Sequence, residues 1–503
     1  MKQEIIGIIN ISASASRMYI GEYSGDQSRI LDFLIKPLLL GADTFTYGYI
    51  SLDNVKKATE ILKLFSLKLQ EYDIANYRAI CTSGVREATN KDFFLDYTLI
   101  HSGIKLEALD SSEEMYINYI GAKNNIADFR KMEQEGLVFA NVSSGNITLN
   151  ITFKDRTIYA GSLPYGNLRL RQLFRSVSHL KRHRAIEEYI RTIISSVAAT
   201  VDPSMELNHL LGSGSSIDLM LRLLNPQKDL ITLEQLKTAY ERVRTLSLNE
   251  IIEDTGLRND ESSVLVPTLI TYIELLELIG AKGFSFSRMS FPELMAYYYT
   301  GRLKDSHLKA RINNTLFFIA AKYRADTRHA KWVNYFAKKL FDGLSELHSL
   351  DKKFRTVLEA AVILNDVGRY VADDNLAGNS FYIIKSLVIP GLESYMLLMA
   401  ARIVYEANKS ARDKEPEESA NITPSDYLTI RKLAGILRVA KALDISRDRH
   451  ITDISITITE VITINAYAER EPYLETYAFE NQKQLFIETF GVAIELKTRI
   501  RYE

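Results

Sequence analysis

The same pattern of two strands, a turn of small residues and a group of helices occurs twice in the first half of the chain. It begins near Ile5 with "IIGIINISASASRMYIGEY" and again near Leu137 with "LVFANVSSGNITLNI". In each copy apolar residues alternate on both sides of the turn, which is typical of a β-hairpin. The duplication predicts two similar α/β lobes that face each other across a cleft, with the small-residue turns pointing into it.

The rest of the chain predicts two further domains. After about residue 300, stretches such as "FRTVLEAAVILNDVGRYV" have apolar residues at helical spacing, which predicts an all-α domain. The polar, proline-containing segment 410–426 is typical of an exposed loop. From His450, "ITDISITITEVITINAYA" and "QLFIETFGVAIELKT" are rich in β-branched residues and predict a small β-rich domain. The predicted domains are a first lobe at 1–126, a second lobe at 127–300, a helical domain at 301–449 and a small α+β domain at 450–503.

Length and charge exclude several classes of protein. A chain of 503 residues is too long for one hydrophobic core and predicts roughly three to four domains. Its 62 Lys and Arg residues balance 63 Asp and Glu residues, which argues against specific nucleic-acid binding and against a polybasic membrane protein. We expect no signal peptide and no membrane span. Cys81 is the only cysteine, which favours the reducing cytoplasm.

The second turn has the composition of a phosphate-binding loop without the carboxylates of a catalytic one. Its sequence is "FANVSSGNITLNI", residues 139–151. Small residues allow backbone N–H groups to approach an anion closely. Phosphoryl transfer also needs a metal ion held by carboxylates, and this turn has none. The residues themselves therefore indicate anion binding without metal chemistry.

Several motifs together resemble the exopolyphosphatase and guanosine pentaphosphate phosphohydrolase family (Ppx/GppA). "CTSGVREATN" at 81–90 is similar to the family pattern T-S-x-x-R-x-A-x-N, and "GSLPYGNLRL" at 161–170 to S-x-P-x-G-x-x-R-L. "GSGSS" at 212–216 resembles a third, glycine-rich turn, and "DSSEEMY" at 110–116 resembles the family's acidic helix start. The resemblance extends over essentially the whole chain.

The resemblance implies a fold, a reaction and a set of residues. It implies two actin-like, ribonuclease-H-like lobes, an HD-type helical domain, a small C-terminal domain and a homodimer. It implies hydrolysis of polyphosphate or guanosine pentaphosphate, with Glu114 as the base that activates water. The phosphate contacts that it implies are Arg17, Arg86, Ser144, Gly145, Arg169, Gly212, Ser213 and Gly214.

The chain departs from the family at the positions that hold magnesium. The first turn, D-I-G-S-N-S-x-R in the family, is "NISASASR" here, so Asn10 replaces the Asp. The second turn, D-x-G-G-G-S-T-E, is "NVSSGNIT", with Asn141 and Thr148 in place of the Asp and Glu. Mg²⁺ prefers anionic oxygen ligands. Losing the ion is expected to cost several kcal/mol of transition-state stabilisation, or roughly 10³-fold in rate.

The helical domain shows the same loss of metal ligands. His329 and Asp366 match HD-type positions in this resemblance. The other positions carry Asn365, Asn379, Glu406 and Lys441, and a lysine at a metal position repels the ion. We therefore expect no metal here, and a buried hydrogen-bonded pair of His329 and Asp366 as the ordinary interpretation.

Ordinary interpretations remain open for the other candidates. Arg86 and Arg169 can form salt bridges that pack the lobes together instead of binding phosphate. Glu114 can be a helix charge. The basic run 169–184 can be a solvated helix face, and the serines of both turns can be plain turn formers.

Three functions fit these observations. The first is a divergent member that binds polyphosphate or guanosine polyphosphate in the cleft between the lobes, with hydrolysis weak or lost and no cofactor. The second is an active exopolyphosphatase or guanosine pentaphosphate phosphohydrolase that uses Mg²⁺. The third is a dimeric scaffold. We favour the first, and the third is compatible with it.

Overall fold

The computed structural model describes residues 4–25, 27–224, 226, 229–410, 416 and 423–500. The chain divides into two compact units, Met1–His307 and Leu308–Glu503. The first unit contains two sheets with helices, and the second contains a helical core and a small sheet.

The first sheet has the strand order β3-β2-β1-β4-β5. Its strands are β1 (Glu4–Ile11), β2 (Ala15–Ser24), β3 (Gln27–Pro37), β4 (Tyr77–Cys81) and β5 (Glu107–Ala108). The first three form an antiparallel meander, and β4 and β5 continue the sheet in parallel to β1. The helices around it are α1 (Leu40–Tyr47), α2 (Leu52–Glu71), α3 (Ser83–Arg86), α4 (Lys91–Ser102) and α5 (Ser111–Asn125).

The second sheet repeats this arrangement. Its strands are β6 (Leu137–Val142), β7 (Ile147–Phe153), β8 (Arg156–Leu163), β9 (His209–Ser213), β10 (Leu230–Thr232) and β11 (Gly283–Phe286). The order β8-β7-β6-β9-β11-β10 begins as the first sheet does, with an antiparallel meander followed by a parallel strand. The predicted duplication is confirmed.

The helices of the second lobe include one long apolar helix. They are α6 (Phe129–Glu135), α7 (Asn167–Leu173), α8 (His179–Ala198), α9 (Ser215–Leu224), α10 (Leu233–Val243), α11 (Leu248–Thr255) and α12 (Asn259–Ile279). Among the described residues, only the stretch Glu261–Ile279 of α12 is long and apolar enough to cross a membrane, and 72% of its most apolar window is buried. The helix packs against α7, α8 and α10, so it is a core helix of this lobe.

Helix α13 (Phe291–Tyr299) follows the second sheet but packs against the first. Leu294 and Met295 are buried in one cluster with Ile6 and Ile8 of β1 and Ile117 of α5. The chain therefore returns to the first lobe before the first unit ends. The domain boundaries given above stay predictions.

Local signals set the ends of the helices beside the cleft. The hydroxyl of Ser51 accepts a hydrogen bond from the N–H of Asn54 at 3.4 Å and caps α2. Asp110 caps α5 by accepting from the N–H of Ser112 at 2.8 Å. This cap fixes the helix turn that carries Glu114.

The second unit is built around helices. They are α14 (Leu308–Lys322), α15 (Thr327–Gly343), α16 (Ser345–His348), α17 (Lys353–Ile363), α18 (Leu376–Lys385), α19 (Ser394–Asn408) and α20 (Pro424–Ala442), with a short 3₁₀ helix at Val367–Tyr370. The predicted helical domain is confirmed. The predicted loop at 410–426 lies largely outside the described residues, and its last three residues begin α20.

The C-terminal part contains a three-stranded sheet with two helices inserted. The elements are β12 (Ile451–Ile458), β13 (Ile462–Ala468), α21 (Tyr473–Gln482), α22 (Gln484–Phe490) and β14 (Ile494–Ile500). The strand-like interpretation of "QLFIETF" is wrong, because these residues form α22. A Cβ at Gly435 of α20 would lie 3.2 Å from the Cα of Phe486. Helix α22 therefore packs closely against α20. The periodicity of such a short apolar run does not by itself distinguish a helix from a strand.

Candidate functional site

Two turns with the same hydrogen bonds face the cleft between the lobes. In the first, the N–H of Ser12 donates to the carbonyl of Ala15 at 2.9 Å, and the N–H of Ala15 donates to the Ser12 hydroxyl at 3.2 Å. In the second, Ser143 and Asn146 make the same two bonds at 3.0 and 3.2 Å. The serine at the start of each turn therefore fixes the loop shape, as small hydroxyl residues do in turns.

The middle residues of both turns leave their backbone N–H groups available. Within the described part of the chain, the N–H groups of Ala13, Ser14, Ser144 and Gly145 donate no hydrogen bond. The Ser144 hydroxyl donates to the Ser14 hydroxyl at 2.8 Å, so the turns of the two lobes touch. Free N–H groups on successive residues form a concavity that attracts anions.

A cavity of about 70 Å³ lies between the turns. It is lined by Asn10 and Arg17 of the first hairpin, Asn141 of the second, Glu114 of α5 and Asp218 of α9. The first residues of α9 and α13 also line it. Helix N-termini carry partial positive charge, so both add to the attraction for an anion.

Asn10 and Asn141 occupy equivalent positions in the two hairpins. Asn10 lies opposite Arg17 in the β1–β2 pair, and Asn141 lies opposite Thr148 in the β6–β7 pair. Both asparagines are buried, at 3% and 6% exposure, and neither amide oxygen has a hydrogen-bond partner among the described residues. A buried acceptor without a partner is costly, so these atoms are suited to receive a donor from a ligand or water.

Gly214 brings the third turn close to Asn141. Its φ is +94°, and a Cβ there would collide with the Asn141 side-chain oxygen. Only glycine combines this backbone conformation with so close an approach. Gly212 and Ser213 instead end strand β9, where Gly212 packs against Ile217 and Phe284. Of the predicted glycine-rich turn, Gly214 lines the cavity.

The two carboxylates of the cavity each face an arginine. Glu114 accepts from the Arg86 guanidinium at 3.0 Å, and Arg86 also donates to the carbonyl of Leu109 at 2.8 Å. Burial raises the pKa of Asp218, while the charge of Arg17 opposes that shift. Asp218 belongs to none of the motifs described above, although it lies four residues beyond Gly214 in the first turn of α9.

The residues present do not fit a resident magnesium ion. Across the described residues, no three His, Cys, Asp or Glu side chains are grouped so that they could hold a metal. Asn10 and Asn141 offer neutral oxygens, Glu114 is paired with Arg86, and Asp218 faces the charge of Arg17. Mg²⁺ usually needs one or two carboxylates together with substrate oxygens.

Arg169 joins the two lobes. Its guanidinium forms an ion pair with Glu87 and lies 3.9 Å from the centroid of the Phe45 ring, both in the first lobe. Its Nε donates to the carbonyl of Gly145 in the second lobe at 3.0 Å. This geometry fits the lobe-packing interpretation of Arg169, and its role in phosphate binding stays a prediction.

In the helical unit, the side chains at the predicted metal positions form other hydrogen-bonded pairs than the one expected from the sequence. His329 bonds Asp444 at 2.7 Å, so the predicted pair with Asp366 is wrong. Asp366 instead accepts from Asn365 at 2.6 Å and lies 3.4 Å from Arg447.

The ammonium group of Lys441 lies at a small cavity in the helical unit. Lys441 lines it together with His329, Asn365 and Asp366, and donates to the Asn408 amide oxygen at 2.7 Å. Burial lowers the pKa of Lys441 to about 8, although Asp366 opposes the shift. A cationic side chain thus occupies the place where the resemblance expects a carboxylate ligand.

The fold and the cleft define a two-lobed protein of the actin-like class. The chain belongs to the Ppx/GppA phosphatase family: the family model matches residues 29–297, and the model of domain III of the same phosphatases matches residues 313–483. The predicted family and fold class are therefore confirmed.

Relatives and solved structures are similar over much of the chain. A guanosine-5'-triphosphate,3'-diphosphate pyrophosphatase of Photobacterium profundum is 21% identical over 458 residues, which is 86% of this chain and 84% of the relative. One from Aeromonas hydrophila is 22% identical over 410 residues, 78% of each chain. An exopolyphosphatase from Cytophaga hutchinsonii superposes with a TM-score of 0.53 at 18% identity, covering 60% of this chain and 99% of its own. The Aquifex aeolicus family member gives 0.50 at 16% identity, covering 61% and 100%. At these identities the two structures establish the fold alone.

Proposed function

We propose that this protein binds the terminal phosphate of polyphosphate or of a guanosine polyphosphate in the cleft between the lobes, with hydrolysis weak or lost. One observation carries the proposal. Two turns with free backbone N–H groups face a cavity in which Asn10 and Asn141 stand where the family resemblance expects metal-binding aspartates.

Binding relies on neutral and cationic groups. The N–H groups of both turns and the N-terminus of α9 offer hydrogen bonds to phosphate oxygens. Arg17 adds a positive charge at the same cavity. The unpartnered amide oxygens of Asn10 and Asn141 can accept from water or from a protonated phosphate oxygen. None of these contacts needs a divalent cation.

The residues of this cleft do not fit a metal ion that would stabilise the transition-state charge of hydrolysis. Glu114 lines the cavity and remains the candidate base for an attacking water. Its carboxylate is held by Arg86, and the charge that develops on the phosphate meets only N–H groups and Arg17. Removing a metal from phosphoryl transfer costs several kcal/mol, which corresponds to roughly 10³-fold in rate.

Ligand entry involves the contact between the lobes. The Ser14–Ser144 hydrogen bond closes the cleft between the turns whose N–H groups bind phosphate. A phosphate that reaches all four N–H groups therefore replaces this bond. We expect binding to change the degree of lobe closure.

Calorimetric titration tests the proposal. Long-chain polyphosphate and guanosine 5'-triphosphate 3'-diphosphate are titrated into the full chain, with phosphate release measured in parallel with Mg²⁺. We expect heat from at least one ligand and slow or no release, with any residual release abolished in Glu114→Ala. Absence of heat with both ligands contradicts the binding function, and fast release contradicts the loss of activity.

Two properties remain proposals on the resemblance and the composition. We propose a homodimer, which sedimentation velocity would contradict by showing a monomer at micromolar concentration. We propose a cytoplasmic location, which agrees with a single, buried cysteine at position 81.

A further inference from the structure

A second cavity on the second lobe is lined by two arginines and by no carboxylate among the described residues. It has a volume of about 100 Å³ and lies between α7, α8, α11 and α12. Its polar lining consists of Arg171, Arg182, His183, Ser262 and Ser263, and the rest of the lining is aliphatic. No acidic residue is among the described residues that line it.

The two guanidinium groups are held by neutral partners. Arg171 donates to the Ser263 hydroxyl at 3.1 Å. Arg182 donates through Nε and Nη2 to the carbonyl of Val177 at 3.2 and 3.0 Å, and through Nη2 to that of Arg175 at 3.2 Å. In the described part of the chain, neither arginine forms an ion pair.

The nearby carboxylates are used by other arginines. Glu188 pairs with Arg184 at 3.0 Å, and Glu187 pairs with Arg191 at 3.1 Å. Glu261 of α12 also pairs with arginine, through Arg258 at 2.9 Å and through Arg222. The charge in the cavity is therefore left without compensation, although the local sequence contains enough acidic residues to supply it.

Two like charges in a half-buried cavity repel each other. Burial and the charge of Arg182 both lower the pKa of Arg171, which is the direction expected for cations that lack an anion. The Nη1 group of Arg182 and the Nε and Nη2 groups of Arg171 are not used by the hydrogen bonds to neutral partners. Charged N–H groups of two guanidiniums can hold one tetrahedral oxyanion from two sides.

We infer that Arg171 and Arg182, with Ser262 and Ser263, form a second anion site that binds one phosphate group. The ligand is either inorganic phosphate or a phosphate unit of a longer polyphosphate chain, since both present the same tetrahedral oxyanion. Arg171 and Ser263 also line a neighbouring cavity that reaches Arg17, Ser144 and Asp218. Arg182 and Ser262 line neither that cavity nor the one between the turns, so the effect of Arg182 distinguishes this site from the cleft.

Equilibrium dialysis with radiolabelled inorganic phosphate tests this site in the full chain. The variants are R182Q and R171Q/R182Q, at constant ionic strength in chloride buffer. The matched control is R184Q, because Arg184 lies on the same helix with its side chain 84% exposed. We expect the double variant to bind one phosphate fewer per chain than the wild type, and R184Q to bind the same number.

The count also separates this inference from the function of the cleft. If the cleft binds no phosphate, the wild type binds one phosphate fewer per chain than otherwise. The difference of one bound phosphate between wild type and R171Q/R182Q remains. Equal phosphate binding by wild type and R171Q/R182Q overturns the inference. Thermal unfolding in chloride checks folding, because the variants lose the hydrogen bonds of both arginines together with their mutual repulsion. R182Q alone must weaken phosphate binding at least tenfold, and unchanged affinity overturns the inference even where the double variant fails to fold.

A competition arm distinguishes the two sources of the ligand. Long-chain polyphosphate is added to the dialysis of wild type and of R171Q/R182Q. The phosphate of interest is the additional one that the wild type binds. If polyphosphate displaces it at a lower concentration of phosphate units than free phosphate does, the site is assigned to polyphosphate. Displacement only at equal or higher concentrations assigns it to free phosphate.

Discussion

At the residue scale, Asn10 and Asn141 leave two buried positions of the cleft neutral, so the carboxylates of its lining are Glu114 and Asp218. Both side chains are buried at the cavity between the turns, and both amide oxygens lack a partner among the described residues. An aspartate differs from asparagine by one charge at nearly the same volume. We therefore expect substitutions at this pair of positions to shift the cleft from anion binding towards metal binding.

Restoring both carboxylates is expected to create magnesium binding. In Asn10→Asp/Asn141→Asp, two buried carboxylates repel each other and lose hydration, so the free energy of unfolding falls by a few kcal/mol without metal. Mg²⁺ should recover this loss, and thermal unfolding with and without Mg²⁺ measures it. Asn481→Asp, at an exposed position, is the control and should show no magnesium effect. A double variant that ignores Mg²⁺ would contradict the role assigned to these positions.

The charge of the Lys441 side chain is expected to make the free energy of unfolding depend on pH. Burial lowers its pKa to about 8, below the value of about 10.4 expected in the unfolded chain. Between these values the unfolded state binds more protons, so the contribution of Lys441 to the free energy of unfolding rises with pH. We expect the wild type to gain stability relative to Lys441→Met from about pH 8 to about pH 10.4.

Chemical denaturation at a series of pH values measures this difference. The control is Lys63→Met, because Lys63 is an exposed residue of α2. Its difference from the wild type should stay constant over the same range. A constant difference for Lys441→Met as well would show that the ammonium is not desolvated.

Individual residues also show which parts of the site could be predicted from the sequence and which could not. The substitutions at Asn10 and Asn141 could be located because they fall within recognisable turns. Asp218 has no motif of its own, and only the folding of α9 brings it to the cavity. His329 was assigned the wrong partner, because its contact with Asp444 joins residues 115 positions apart.

At the element scale, α1 and α7 hold the lobes together through Arg169. The guanidinium contacts Phe45 of α1 and Glu87, which follows α3, while its Nε bonds the second turn at Gly145. These contacts use the groups that a phosphate would need. We therefore expect Arg169 to act on lobe closure more than on affinity.

Arg169→Gln tests this expectation. Losing the ion pair and the ring contact should speed amide hydrogen exchange in α1 and α7, measured by mass spectrometry. The affinity for polyphosphate should change less than about threefold, or under 1 kcal/mol. Arg184→Gln, whose side chain is exposed on α8, is the control for removal of a charge. A tenfold loss of affinity with unchanged exchange would instead support direct phosphate binding by Arg169.

Elements were predictable where local periodicity agreed with the tertiary structure. The two hairpins and α2 follow directly from alternating and helical spacing. Helix α22 was not predictable, because a short run of apolar and β-branched residues fits a strand equally well. The return of α13 to the first sheet depends on packing of Leu294 against Ile117 and the β1 strand, which no local signal encodes.

At the scale of the first unit, a duplicated fold brings two similar turns with free backbone N–H groups together. Each turn is fixed by its own serine, and the Ser14–Ser144 bond connects them. Because the hydrophobic pattern repeats, the sequence could predict this arrangement. It could not predict how tightly the lobes close, since that depends on side-chain contacts between distant segments.

The central claim is that this cleft binds phosphate chains without a divalent cation. Isothermal titration of the full chain with polyphosphate, once in EDTA and once in millimolar Mg²⁺ with released phosphate quantified, tests it most directly. We predict affinities that agree within about threefold, less than 1 kcal/mol, and little phosphate release in either buffer. Binding that requires Mg²⁺ and is followed by rapid release of phosphate would contradict the claim.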